Sequence, residues 1–159
     1  MEKTYFIYHT TIGELLVAEK EGKITDLKAI SRLDPTFDGE FRETPLLALT
    51  IQQLNEYLAG DRHTFDLPLA PQGTPFQRAV WQALLAIPYG ETRSYGDIAH
   101  AIGNPKAARA VGMANHNNPI SFIIPCHRVI GANGALVGYG GGLDLKKKLL
   151  DLESKNMSS

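Results

Sequence analysis

Helix punctuation is dense in the second half of this chain, and it holds each helix there to a few turns. Thr74-Pro75-Phe76-Gln77 is a complete capping box with proline at the first helical position. Phe76, Val80, Trp81 and Leu84 give that helix an apolar side, and Pro88 and Gly90 end it. Ser94, with Asp97 as the reciprocal acid, caps a short helix over 95–102, which Gly103 stops. Asn104-Pro105 then predicts a cap for another helix at once, running from 106 to about 115, and Asn118-Pro119 breaks the chain again. Two short helices joined by a tight glycine turn form a helix-turn-helix candidate.

The first thirty residues follow a different rule. Segments 4–9, 14–18 and 24–30 are rich in β-branched, aromatic and aliphatic residues, with Gly13 and Gly22 between them, as in an antiparallel meander. Residues 31–43 read as a polar loop. Thr44-Pro45 opens a helix with Leu47, Ile51, Leu54 and Leu58 on one face, and Gly60 ends it. Residues 61–73 read as a connector. Residues 120–124 read as a short apolar strand or extended run leading into Pro125-Cys126-His127-Arg128. A Gly/Asn-rich stretch spans 131–142, Leu145, Leu149 and Leu152 mark a closing helix, and 154–159 a frayed tail. The expected class is α+β, with a small α/β domain over 1–72 carrying an antiparallel sheet and a mainly helical domain over 73–159.

Composition fits one compact domain or two small ones. The chain has 159 residues, 43% of them apolar, which argues against disorder. Its 17 acidic and 16 basic residues divide unevenly: residues 1–72 carry a net −5 and residues 73–159 a net +4. The second half is therefore where an anionic partner belongs. A single cysteine excludes an intramolecular disulfide, and any metal would need His and carboxylate ligands. No apolar run approaches bilayer-spanning length, and Met1-Glu2-Lys3-Thr4 lacks a secretory signal. A cytoplasmic protein without membrane association is expected.

Cys126 is the leading chemical candidate. A thiolate is a soft nucleophile, and His127 and Arg128 directly beside it are unlike the surroundings of an inert core cysteine. A histidine base also needs a carboxylate on its other nitrogen. Spacing leaves that acid open among Glu91, Asp97, Asp144, Asp151 and Glu153. Ala107, Ala108 and Ala110 around Arg109 leave almost no side chain long enough to read base edges. Such a surface suits close approach to a narrow groove with one arginine inserted, or an alanine-rich core helix with one solvated arginine. Tyr95 has a hydroxyl able to donate to a base nitrogen. Tyr139 lies among Gly138, Gly140, Gly141 and Gly142, where backbone approaches something closely, but without a nucleotide-binding spacing.

The run Ile124-Pro-Cys-His-Arg-Val-Ile130 resembles the active-site signature of the O6-alkylguanine-DNA alkyltransferases. So do Gly73-Thr-Pro-Phe-Gln, Ile87-Pro-Tyr-Gly-Glu, Ser94-Tyr95, Gly103-Asn-Pro-Lys-Ala-Ala-Arg-Ala-Val-Gly, Asn118-Pro119 and Gly138-Tyr-Gly-Gly-Gly. The likeness runs through nearly all of 73–153, while residues 1–72 match in general character. It implies a ribonuclease H-like first domain and a winged-helix-like second one. It also implies single-use repair, in which Cys126 takes the alkyl group from O6 of a guanine flipped out of the duplex, and O4-alkylthymine is a further candidate lesion. By the same resemblance His127 is the water-linked base and Glu153 orients it. Tyr95 donates to guanine N3, Asn118 braces the Cys126 turn, and Arg109 fills the vacated stack. Ala107, Ala108, Ala110 and Arg128 would join the DNA contact. The carbonyls of Cys126 and Val129 would meet the guanine amino group, and Tyr139, Gly140 and Ser121 would line the pocket. The partner implied is double-stranded DNA bound through its minor groove by a monomer, with no cofactor and no metal.

Two positions depart from some members: Gly140 replaces a serine and Ser121 a second proline. The zinc-binding cysteines of some relatives are absent, and the chain is too short for the sensor domain of bifunctional ones. One alternative is a lesion-binding protein without chemistry, but such relatives replace the nucleophile that Cys126 supplies. A sequence-reading regulator is disfavoured by the bare second helix, and a Cys-His hydrolase leaves the DNA-type features unused.

Overall fold

A computed structural model defines the fold and describes residues 2–132, 134 and 142–157. The chain divides into two units, residues 1–72 with 119–121, and residues 73–118 with 122–159.

In the first unit, β1 (Lys3–Thr10), β2 (Gly13–Lys20) and β3 (Lys23–Ala29) form the expected antiparallel meander. Glu21 and Gly22 both have positive φ, 54° and 78°, as a two-residue turn matched to strand twist requires. Residues 31–43 are not all loop. β4 (Gly39–Phe41) pairs parallel with β1, giving the order β3-β2-β1-β4. Three residues are too few to show a strand pattern, although Phe41 stacks on Phe6 of β1 with ring centroids 4.9 Å apart. On the other edge, Ile24 N–H donates to Pro68 O and Leu27 N–H to Pro119 O, so two extended segments cover β3. α1 (Pro45–Leu58) starts at Thr44, whose side chain accepts the Leu47 N–H, and buries Leu47, Ile51, Leu54 and Tyr57.

In the second unit, α2 (Pro75–Leu85) carries the full capping box: Gln77 N–H donates to Thr74 Oγ1 (3.1 Å) and Thr74 N–H to Gln77 Oε1 (2.9 Å). β5 (Arg93–Ser94) pairs parallel with β6 (Val129–Ile130). α3 (Tyr95–Ala101) has the reciprocal Ser94–Asp97 box, and α4 (Ala108–His116) completes the helix-turn-helix. The Asn104 cap is corrected. The Ala107 N–H donates to Asn104 O, closing a turn around Pro105, and α4 begins only at Ala108 without a side-chain cap. Trp81 ties α2 to α4 by donating Nε1–H to Ala114 O (2.9 Å).

The strand or extended run expected over 120–124 does not form. Only Ile120 bridges to Leu27, and Phe122 then turns the chain at φ 71°. A non-glycine residue in that region costs about 1–3 kcal/mol and reverses chain direction. The apolar run reported burial, not conformation. α5 (Leu143–Lys155) forms where expected, but its buried face is Lys146, Leu149 and Glu153 rather than the full leucine row.

Candidate active site

Cys126 opens a 3-10 turn over Cys126–Arg128 and is 5% exposed. Its N–H donates to Ile124 O at 2.7 Å, and Asn118 Nδ2 donates to the same oxygen at 2.8 Å. The Cys126 carbonyl accepts the Val129 N–H and, at 3.3 Å, Asn115 Nδ2 from α4. The Cys126 backbone is thus held from both sides, with Asn118 bonded into this turn.

Beside it, Glu153 of α5 accepts four hydrogen bonds. His127 Nε2 lies 2.6 Å from Oε2, and Arg128 Nη2 donates to that oxygen at 3.0 Å. Arg128 Nε donates to Oε1 at 2.8 Å, and the Gly90 N–H reaches the same atom at 3.1 Å. Burial pushes the Glu153 carboxyl up, but the bonds from His127 and Arg128 outweigh it and hold the group at about 2. Burial pushes the His127 imidazolium down, only partly offset by Glu153. The consistent state is a neutral imidazole donating Nε2–H to an ionised carboxylate whose charge partner is Arg128. Nδ1 then carries the basic lone pair. The expected place of Arg128 among DNA contacts is corrected here. It is 7% exposed, bidentate on Glu153, and its Nη1 donates to Ile87 O at 2.8 Å. A guanidinium spent inward on a buried carboxylate does not reach phosphate.

Tyr95, the first residue of α3, is half-buried. Burial and then the nearby Cys126 push its phenol up, so it remains a protonated donor. The α4 backbone runs beside its ring, because a Cβ built on Gly112 would meet that ring at 3.8 Å.

Lys146 escaped the sequence reading, since three consecutive lysines look like a solvated run. Yet it is fully buried and donates Nζ–H to Val129 O at 2.5 Å. Burial lowers its pKa and the coulombic effect of Cys126 raises it, so the Lys146 cation and a negative charge on Cys126 would stabilise each other. Asn115 was missed for a different reason: nothing in its local sequence separates it from a capping asparagine.

Arg109 and Ala110 are exposed on α4, with Ala107 and Ala108 half-buried at its start. Ala107, Arg109 and Ala110 border an open groove of about 630 Å³ that Thr74, Phe76, Gln77, Lys106 and Met113 also line. Val129 is buried in β6. Ser121 is buried in the first unit, donating its N–H to Leu27 O. Tyr139 and Gly140 lie outside the described residues. Among the described residues no group of three His, Cys, Asp or Glu is placed to hold a metal, and no helix is long and apolar enough to cross a membrane.

A protonated phenol, a neutral histidine on an ionised carboxylate and a lone thiol, all in a helix-turn-helix unit, define a DNA-binding protein with a cysteine nucleophile. Two profiles of one family match the chain: the DNA-binding domain of 6-O-methylguanine DNA methyltransferase over residues 75–155, and its ribonuclease-like domain over residues 3–71. The chain belongs to this family. It is 52% identical to the constitutive methylated-DNA–protein-cysteine methyltransferase of Bacillus subtilis over 155 residues, covering 94% of each chain. It is 52% identical over 157 residues to the methylated-DNA–protein-cysteine methyltransferase of Methanosarcina acetivorans, covering 94% of this chain and 97% of that one. Among solved structures, the Mycobacterium tuberculosis O6-methylguanine methyltransferase matches with TM-score 0.89 at 47% identity, covering 97% of this chain and 94% of that one. The OGT of the same organism in complex with DNA matches with TM-score 0.88 at 48% identity, covering 96% and 94%.

Proposed function

We propose that the protein reverses alkylation damage in DNA by moving the alkyl group from O6 of guanine onto Cys126, once per molecule. The observation that carries this reading is the buried Cys126-His127-Glu153 arrangement within a helix-turn-helix unit. His127, with Nε2–H committed to Glu153, takes the thiol proton at Nδ1 through a water. The Cys126 sulfur attacks the alkyl carbon in line, a C–S bond forms and the C–O6 bond breaks. The electron pair stays on the base, which takes up one proton and leaves as guanine. Tyr95 O–H donates to N3 and offsets the charge developing on the leaving base. Lys146 favours the thiolate from the Val129 side.

The duplex is met at its minor groove by α4, whose alanines allow close approach while Arg109 enters the stack in place of the flipped base. A single chain holds every group the reaction uses, so a monomer acts alone. A thioether is a poor leaving group, which makes the reaction stoichiometric. O4-alkylthymine offers the same electrophilic carbon and is a secondary substrate.

The test is lesion loss from a duplex containing O6-methylguanine, titrated with protein. Repair should stop at one lesion per protein, and Cys126→Ala should bind the duplex without repairing it. Repair by that variant would remove Cys126 as the nucleophile, and binding without repair by the unaltered protein would leave a damage-marking protein instead.

A further inference from the structure

Arg109 divides α4 into two sides. Successive residues of a helix turn by about 100°, so with Arg109 facing outward Gly112 lies about 60° to one side and Asn115 about 120° to the same side. Gly112 backs onto the Tyr95 ring, and Asn115 Nδ2 donates to the Cys126 carbonyl at 3.3 Å, which makes this the side of the nucleophile. Met113, Ala110 and Ala114 lie about 40°, 100° and 140° to the other side. These three line the groove of about 630 Å³, together with Phe76 of α2 and Lys106.

The groove carries the chemistry of a sugar-phosphate strand. Met113 is 63% exposed, more than any other large apolar side chain among the described residues. Phe76, Ala110 and Ala114 extend that apolar surface. Lys106 and Arg109 in its lining are exposed and form no ion pair among the described residues. Thr74 and Gln77, which also line it, are spent on each other in the α2 capping box. A nucleic acid strand seen from the minor groove offers deoxyribose C–H groups between phosphates, the complement of an apolar surface with free cations beside it. The groove is also continuous with the α4 face of the DNA-binding domain.

We propose that this groove seats the strand opposite the lesion, with Met113 and Phe76 packed on its deoxyriboses and Lys106 on one of its phosphates. This rests on the repair reading above, in which Arg109 takes the place of the flipped base. An arginine at that point stands between the two strands. The flipped nucleotide leaves on the side of Tyr95 and Cys126, and the partner strand passes on the other side, over Met113. Held there, the partner strand stays on α4 while the lesion strand moves, so Met113 serves duplex repair without touching the reacting atoms.

The experiment measures single-turnover repair, at protein below saturation, of O6-methylguanine in a duplex short enough for one protein and in the lesion strand alone. Met113 and Lys106 are exposed, so their replacement leaves the fold in place. Met113→Ala should slow the duplex reaction by about fivefold and the single strand by less than about twofold. Lys106→Ala should lower the salt dependence of duplex binding by about one ion. Methylphosphonates, which carry no charge, then identify the strand. Placed opposite the lesion, they should slow the unaltered protein and add nothing to the loss in Lys106→Ala; placed in the lesion strand, they should slow both proteins alike. Equal losses of Met113→Ala on duplex and single strand, no loss on either, or additive losses with Lys106→Ala would each overturn the assignment. So would a loss confined to long duplexes crowded with protein, which would give the groove to a neighbouring copy. If the unaltered protein repairs neither substrate, the repair reading itself fails.

Discussion

Replacing Glu153 with glutamine removes the negative charge from a carboxylate that is 1% exposed and takes hydrogen bonds of 2.6 to 3.1 Å from His127, Arg128 and Gly90. Arg128 keeps its bond to Ile87 O but loses the carboxylate charge that Glu153 sets against it. Breaking a buried pair from one side strands the other charge and costs about 3–5 kcal/mol. At about 2–4 °C per kcal/mol for a chain of this size, Tm should fall by roughly 6–20 °C. Urea unfolding gives the same quantity at fixed temperature. Acid supplies an internal check. The folded carboxyl sits at about 2, below its ordinary value of 4.5, so its stabilisation is complete above 4.5 and is lost as pH falls towards 2. The gap between the unaltered protein and Glu153→Gln should therefore narrow by about 1.4 kcal/mol per pH unit below 4.5. Glu153→Leu combined with Arg128→Met, which strands no charge, should lose less than Glu153→Gln alone. A loss under about 1 kcal/mol at neutral pH, or a gap unchanged between pH 5 and pH 3, would refute the shared-carboxylate account.

Arg109→Ala should slow repair of the duplex far more than reaction with free O6-methylguanine base, because only the duplex must be opened; equal losses would end its role in the stack. Lys146→Met keeps the length of the side chain but removes its charge and its bond to Val129 O, so alkylation of Cys126 by iodoacetamide should shift to higher pH. An unmoved profile would mean the lysine only packs. Asn118→Ala strips a donor from the Ile124 carbonyl and should lower stability by about 1–3 kcal/mol in urea unfolding. An unchanged midpoint would show that the turn is held elsewhere.

What could be read in the sequence was local. The Thr74–Gln77 and Ser94–Asp97 boxes are three-residue devices, and they form as written. The structure sets Glu153 on His127 beside Cys126, and a resemblance rather than spacing selected that acid. What escaped depends on tertiary partners. The leucines of α5 suggested an apolar inner face, but Lys146 and Glu153 point inward because Val129 O and the His127–Arg128 pair await them. Arg128 reads as a DNA contact for the same reason: a guanidinium shows its partner only once the chain has folded. Asn104 and Phe122 failed at the level of backbone. A turn around Pro105 competed with the helix cap, and an apolar run said nothing about the left-handed residue within it.

The central claim is covalent, and intact mass answers it. The protein, mixed with an equimolar duplex bearing O6-methylguanine, should gain the mass of one methylene unit, and peptide mapping should place the new methyl on the fragment containing Cys126. An unmodified mass with the lesion gone, or a methyl group on any other residue, would contradict the account.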